Sequence, residues 1–238
     1  VNPSGVVAAA ATPLSKGAIV MSLKTELEQF RAEFIGKAAP ETWAAMTRAD
    51  LDLAASGILE KALKAGDLAP DFTLADARGG EVRLSTLLAK GPVVLSFYRG
   101  GWCPYCNLEL RALQKALPDF LRLGASLLAI SPQIPDESLT TAEKNELAYA
   151  VLSDTGSKTA QAFGIAFELP DELRPIYARH ALADKNGDDS WRLPIPATYV
   201  IGEDGVIALA FVDVDYRNRL EPAEIVATLQ ALAIKQAV

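Results

Sequence analysis

One continuous stretch constrains this chain most. The apolar run Val93-Val94-Leu95-Ser96-Phe97-Tyr98 passes directly into Arg99-Gly100-Gly101-Trp102-Cys103-Pro104-Tyr105-Cys106. A short, uninterrupted apolar run reads as a strand covered on both faces. The glycine pair supplies a turn. Pro104 suits the first position of a helix. Leu113, Leu117, Phe120 and Leu121 then recur on one side of that helix, and Gly124 stops it. The prediction is strand, tight turn, helix, with Cys103 and Cys106 at the junction.

These are the only two cysteines in 238 residues. Residues three apart share a helix face, so the two sulfurs lie within reach of each other. Free N–H groups and the macrodipole at a helix start stabilise a thiolate, which is the nucleophilic form of cysteine. Sulfur redox chemistry fits this placement. Three other readings compete: two inert core cysteines, a structural disulfide whose tiny loop restrains little of the chain, and a zinc site. Zinc wants about four ligands, and His180 is the only histidine and is far away in sequence. No metal or cofactor is expected.

The formal net charge of −7 argues against nucleic acid and anionic membranes as partners. No run approaches the roughly 18 uncharged apolar residues of a membrane span. Two cysteines at redox spacing fit a reducing, cytoplasmic location. Half the residues are hydrophobic, enough for one large core with an appendage.

Three segments are expected. Residues 1–20 carry one charge, Lys16, and lack the basic flank of an export signal. They read as a leader or upstream extension ahead of Met21. Residues 21–65 read as a helical arm, with Leu23, Leu27, Phe30 and Phe34 at helical spacing, a break at Pro40, a second helix from Thr42 and a third weakened by Gly57. Packing on the main body is the plain role for such an arm; a homodimer contact is the alternative. From residue 66 onward strands and helices alternate, which means an α/β domain with some parallel pairing. Phe72–Leu74 and Val82–Leu84 form a hairpin around Asp76–Gly80. A strand at 126–130, a polar helix at 141–147, a strand at 149–152 and a short helix at 158–163 come next. Residues 166–194 read as an irregular excursion. A second hairpin spans 197–212, and a helix spans 222–234.

Gly66-Asp67-Leu68-Ala69-Pro70-Asp71-Phe72-Thr73-Leu74 resembles the opening motif of the peroxiredoxin (AhpC/TSA) family. Gly80, Val82, Leu84-Ser85, Pro92–Tyr98, Ala129-Ile130-Ser131 and Leu152-Ser153-Asp154 resemble the later motifs of that family. The likeness runs from about residue 66 to about 235. It implies a thioredoxin-like fold: a mixed central sheet, helices on both faces and an extra N-terminal hairpin. It also implies that Cys103 attacks a hydroperoxide and becomes a sulfenic acid, that Cys106 resolves it to a disulfide, and that a thioredoxin- or glutathione-type reductant resets the pair.

The chain departs from the family pattern in three places. Gly100 stands where the family has Thr or Ser, Ser96 where it has Pro, and Pro196 where it has Arg before the late Ala-Thr strand. Arg192 is the nearest stand-in for that Arg. Trp102-Cys103-Pro104-Tyr105-Cys106 and a Pro196 in cis would resemble a thioredoxin site, so dithiol–disulfide exchange on proteins is the alternative function. Arg99 is expected to bind thiolate and peroxide oxygens. Backbone N–H groups of the Gly101–Cys103 turn are expected to help. Trp102, Tyr105 and Pro196 are expected to line the site, and His180 to lie on a surface loop.

Overall fold

The computed structural model describes residues 21–37 and 39–236. The leader expected at 1–20 lies outside the described residues. The chain runs α1 (Leu23–Lys37), α2 (Pro40–Ala55), α3 (Ile58–Lys61), β1 (Thr73–Asp76), β2 (Glu81–Arg83), α4 (Leu84–Leu88), β3 (Val93–Phe97) and α5 (Pro104–Arg122). It continues with β4 (Ser126–Ser131), α6 (Pro135–Lys144), β5 (Ala150–Ser153), α7 (Lys158–Ala162), β6 (Ala166–Glu168), α8 (Arg174–Ala178), α9 (Leu182–Asn186), β7 (Arg192–Pro194), β8 (Ala197–Ile201), β9 (Ile207–Val212) and α10 (Pro222–Gln236).

Seven strands form one sheet in the order β2-β1-β5-β4-β3-β8-β9. β3 runs parallel to β4, with Leu95 opposite Leu128, and β4 runs parallel to β5. The remaining neighbours pair antiparallel. β3 is therefore central, and all five of its residues are buried, as its unbroken apolar sequence requires.

Alternation along the strands divides the core. Val94, Ala129, Val151 and Val200 face α1, α5 and α10. Leu95, Phe97, Ile130 and Tyr199 face α3, α4 and α7 on the other side. This is the expected thioredoxin-like layering, with the β1–β2 hairpin as its addition. Among the described residues no helix is long and apolar enough to cross a membrane.

Three expectations change. α2 starts at Pro40 rather than Thr42, because proline fits a first-turn position that has no N–H to satisfy. α6 begins at Pro135, six residues before the predicted Thr141, for the same reason, and Asp136 and Glu137 favour its first turn. Residues 166–194 are ordered: β6 and β7 pair with each other, and α8 and α9 lie between them. Their apolar residues Leu169, Leu173, Tyr177 and Leu193 pack on Met46 and Ala49 of α2 as a third, smaller core. The helical arm is thereby pinned to the excursion.

Candidate active site

β3 delivers the chain to the centre of the sheet, and the loop 98–103 turns it into α5. Cys103 is the N-cap of α5 and Pro104 its first residue. The Cys103 N–H donates to the Gly100 carbonyl at 3.0 Å, and the Gly101 N–H donates to Gln133 Oε1 at 2.7 Å. Two of the three amides expected to hold a peroxide are thus already engaged within the loop. Asn107 Nδ2 donates to the Gly101 and Cys103 carbonyls at 2.8 and 3.1 Å. Asn145 Nδ2 donates to Asn107 Oδ1 at 2.8 Å, and Arg111 to Asn145 Oδ1 at 2.8 Å. The site loop is therefore bolted to α6 through amide side chains.

At both glycines an added Cβ would crowd a neighbour. Gly100 has φ +140°, and a Cβ there would lie 2.4 Å from the Trp102 indole nitrogen. A threonine hydroxyl is therefore excluded from this position. At Gly101 a Cβ would lie 2.2 Å from Thr141 Oγ1.

Cys103 and Cys106 are free thiols, 1% and 0% exposed. Burial opposes ionisation of Cys103, but the Cys106 thiol and the charges of Arg99 and Arg219 outweigh it and hold the Cys103 thiol well below its ordinary value. Burial and the neighbouring Cys103 push Cys106 well above it. The electrostatics favour the thiolate on Cys103 and the neutral thiol on Cys106.

Arg99 sits two residues beyond the end of β3, 3% exposed. Its guanidinium lies 4.1 Å from the Tyr216 ring centroid, 5.0 Å from Trp102 and 5.1 Å from Tyr177. It donates to the Tyr177 hydroxyl. His180 stacks on Trp102 at 5.6 Å, and burial and then the Arg99 charge hold it below its ordinary value. Tyr105 is buried rather than exposed to substrate, edge-on to Phe30 of α1 at 5.0 Å and to Tyr216 at 5.6 Å. Pro196 lies with Arg99 in the wall of an apolar cavity. It is not cis: every peptide bond among the described residues is trans. The expected likeness to the thioredoxin proline fails there.

Sequence reasoning missed the second guanidinium. Arg219, in the loop after β9, donates through Nη2 to Cys106 Sγ at 3.4 Å and through Nε to Glu109 Oε2 at 2.7 Å. Both charged side chains are almost wholly buried, 1% and 2% exposed. Burial pushes Glu109 up to about 7 against the pull of Arg219. Arg192, the expected stand-in, lies instead in β7 opposite Glu168. Glu109 had left a signal: it is a charged residue on the helix face that also carries Cys106, Leu110 and Leu113.

The profile of the AhpC/TSA family matches residues 65–210. Peroxiredoxin Q of Triticum aestivum, a chloroplast protein, is 29% identical over 192 residues, 80% of this chain and 76% of that protein. Peroxiredoxin Bcp of Escherichia coli (strain K12) is 32% identical over 103 residues, 43% of this chain and 65% of that protein. The crystal structure of peroxidoxin BcpB from Mycobacterium tuberculosis superposes with a TM-score of 0.57 at 28% identity, covering 71% of this chain and 98% of that one. A strand-turn-helix site carrying a buried cysteine whose thiolate is favoured, on a thioredoxin-like sheet, defines the class of thiol redox proteins. Within that class the chain belongs to the AhpC/TSA family, the peroxiredoxins.

Proposed function

We propose that Cys103 is the peroxidatic cysteine and Cys106 the resolving one in a thiol-dependent peroxidase that reduces hydroperoxides. One observation carries this reading: Cys103 is the buried sulfur at a helix start, and the charges of Arg99 and Arg219 favour its thiolate. Its thiolate attacks the terminal peroxide oxygen. An S–O bond forms, the O–O bond breaks, and the leaving alkoxide takes a proton to become alcohol or water. Positioned cations stabilise the charge that develops on that oxygen, which is the role of Arg99. Cys106 then attacks the sulfenic sulfur. An S–S bond forms and the hydroxyl leaves as water with the Cys106 proton. A thioredoxin-type dithiol returns two electrons and two protons.

The alternative, disulfide exchange on other proteins, drew on the Trp102–Cys106 motif and on Pro196, which is not cis. The test is peroxide consumption with thioredoxin, its reductase and NADPH, run beside insulin reduction. Peroxide turnover that Cys103→Ser abolishes, with Cys106→Ser halting at sulfenic acid after one turnover, is the expected result. Ready insulin reduction without peroxide turnover would replace this reading by the other.

A further inference from the structure

Every nitrogen of the Arg219 guanidinium is engaged. Nε donates to Glu109 Oε2 at 2.7 Å, Nη1 to the Tyr216 and Asn218 carbonyls, and Nη2 to Cys106 Sγ at 3.4 Å. A planar guanidinium fastened through two nitrogens has its third aimed by geometry. The Arg219 side chain is buried, so its charge acts on the sulfur across protein rather than water. A buried ion pair is weak evidence for stability, because well-packed apolar residues in its place commonly do as well or better. Arg219 also lies beyond residue 210, where the match to the family profile ends.

The titratable and charged groups that act on Cys106 come from three places. Tyr98, Arg99 and Cys103 lie in the loop after β3, Glu109 lies on α5, and Arg219 lies after β9. The Tyr98 hydroxyl, pushed up to about 12 by burial, is neutral. Burial, and then the hydrogen bond and charge of Cys103, oppose a Cys106 thiolate; Arg219 and the Arg99 backbone amide favour it. Oxidation of Cys103 moves this balance one way. A protonated sulfenic acid carries no charge, so the repulsion between the two sulfurs disappears while the pull of Arg219 stays.

We propose that Arg219 is a catalytic residue of the resolving step, stabilising the Cys106 thiolate that forms once Cys103 is a sulfenic acid. The inference rests on the peroxidase reading and assigns a residue to its second half. Cys106 gives up its proton and its sulfur bonds to the Cys103 sulfur. The S–O bond breaks, and the departing hydroxyl takes that proton and leaves as water. Cys106 is oxidised and the sulfenic sulfur reduced by the same electron pair, so no outside reductant enters this step. The arrangement orders the reaction: Cys106 stays neutral until the peroxide has reacted.

The experiment mixes the reduced full chain with hydrogen peroxide in a single turnover and follows tryptophan fluorescence. Intact mass of acid-quenched samples assigns the phases, since a sulfenic acid adds oxygen and a disulfide loses hydrogen. The first phase should depend on peroxide concentration and the second should not. A hydrogen bond to a charged group moves a thiol ionisation by about one to two pH units, and the higher nucleophilicity of the less stabilised thiolate returns about half of that effect. Arg219→Gln should therefore slow the second phase about three- to tenfold near neutral pH and raise its pH midpoint by about one to two units. The pair Glu109→Gln with Arg219→Gln, which leaves no unpaired buried charge in place of the ion pair, should show the same displacement, so poor folding of the single variant does not decide the outcome. A second phase of unchanged rate, or one slowed with its midpoint unmoved, would overturn the assignment of Arg219 alone. An unsubstituted chain that gains neither oxygen nor a disulfide would instead remove the peroxidase reading, and this inference with it.

Discussion

Removing the Cys106 sulfhydryl should raise the pH at which Cys103 ionises, and by an amount the structure bounds. Burial works against the Cys103 thiolate; the Cys106 thiol is the strongest of the groups that offset it, ahead of Arg99, Arg219 and the Cys106 amide. Cys106→Ala deletes the thiol and leaves the other three in place. A hydrogen bond to a charged group contributes about 1.5–3 kcal/mol, and one pH unit corresponds to about 1.4 kcal/mol. Cys103 in Cys106→Ala should therefore ionise about one to two pH units higher than in the unsubstituted protein. Cys106→Ser keeps a donor of similar reach and should move less.

The assay is the pH dependence of iodoacetamide alkylation, with the ultraviolet absorbance of the thiolate as a second readout. Because the folded value is depressed, the associated stability is fully present above the unfolded cysteine value, about 8.5, and is lost as pH falls through the folded one. The Ala variant should lose part of that pH dependence in its melting temperature too. An unchanged alkylation profile in Cys106→Ala, or equal displacement by Ala and Ser, would refute the assignment of Cys106 as thiolate donor.

Glu109 has the opposite sign: its folded value is raised to about 7, so its contribution is fully present below the unfolded value of about 4.3 and is lost as pH rises through 7. Melting temperature followed over that window should decline in the unsubstituted protein and decline less in Glu109→Gln; parallel curves would contradict this. Gly101→Ala should destabilise the protein by about 1–3 kcal/mol through overpacking, because its Cβ meets Thr141 Oγ1. Adding Thr141→Ala should recover most of that loss in denaturant midpoint, and failure to recover would place the strain elsewhere. Phe30→Ala removes the edge contact from α1 onto Tyr105, a contact of about 0.5–1.5 kcal/mol beyond its buried area. If the arm limits access to the sulfurs, alkylation of Cys103 should quicken about two- to tenfold, and an unaltered rate would show that the arm does not gate it.

The parts of this molecule that sequence made legible are those with a period. β3 is buried on both faces and α5 on one, so their side chains repeat at strand and helix spacing, and the cysteines are placed by the junction between them. The 166–194 excursion was opaque because β6 and β7 are three residues each and pair only with one another across more than twenty residues. Arg219 was opaque because its loop has no period and its partner, Glu109, is 110 positions away. The cavity was opaque for the same reason: Ala49 and Leu173 meet only after α2 docks. The family resemblance pointed to a missing arginine near residue 196, and chain proximity suggested Arg192. The fold instead brings Arg219 against Cys106 from a different loop.

Drawing the second charge from Arg219 alters the electrostatics of the site. Where relatives of the family type use a hydroxyl three residues before the reactive cysteine, Gly100 leaves no room for one. The charge on Cys103 is balanced by guanidinia instead, and buried guanidinia need counter-charges of their own. Of the groups that act directly on the two sulfurs, Arg99 and Arg219 carry two positive charges in the reduced state, and the Cys103 thiolate with ionised Glu109 carries two negative ones. A Cys103–Cys106 disulfide has no charge, so oxidation leaves one buried guanidinium unmatched. An uncompensated buried charge costs about 3–5 kcal/mol, while the short disulfide loop returns about 2–3 kcal/mol at most by chain restraint. For a domain of this size each kcal/mol shifts melting by about 2–4 °C. The oxidised protein, held above the Glu109 ionisation, should thus melt below the reduced protein by a few degrees, with faster amide exchange concentrated at residues 98–106. That loosening would expose to a reductant two sulfurs that are inaccessible when reduced. An oxidised form that melts above the reduced one, with the loop amides equally protected, would show that Arg99 finds another partner and that charge balance does not govern the site.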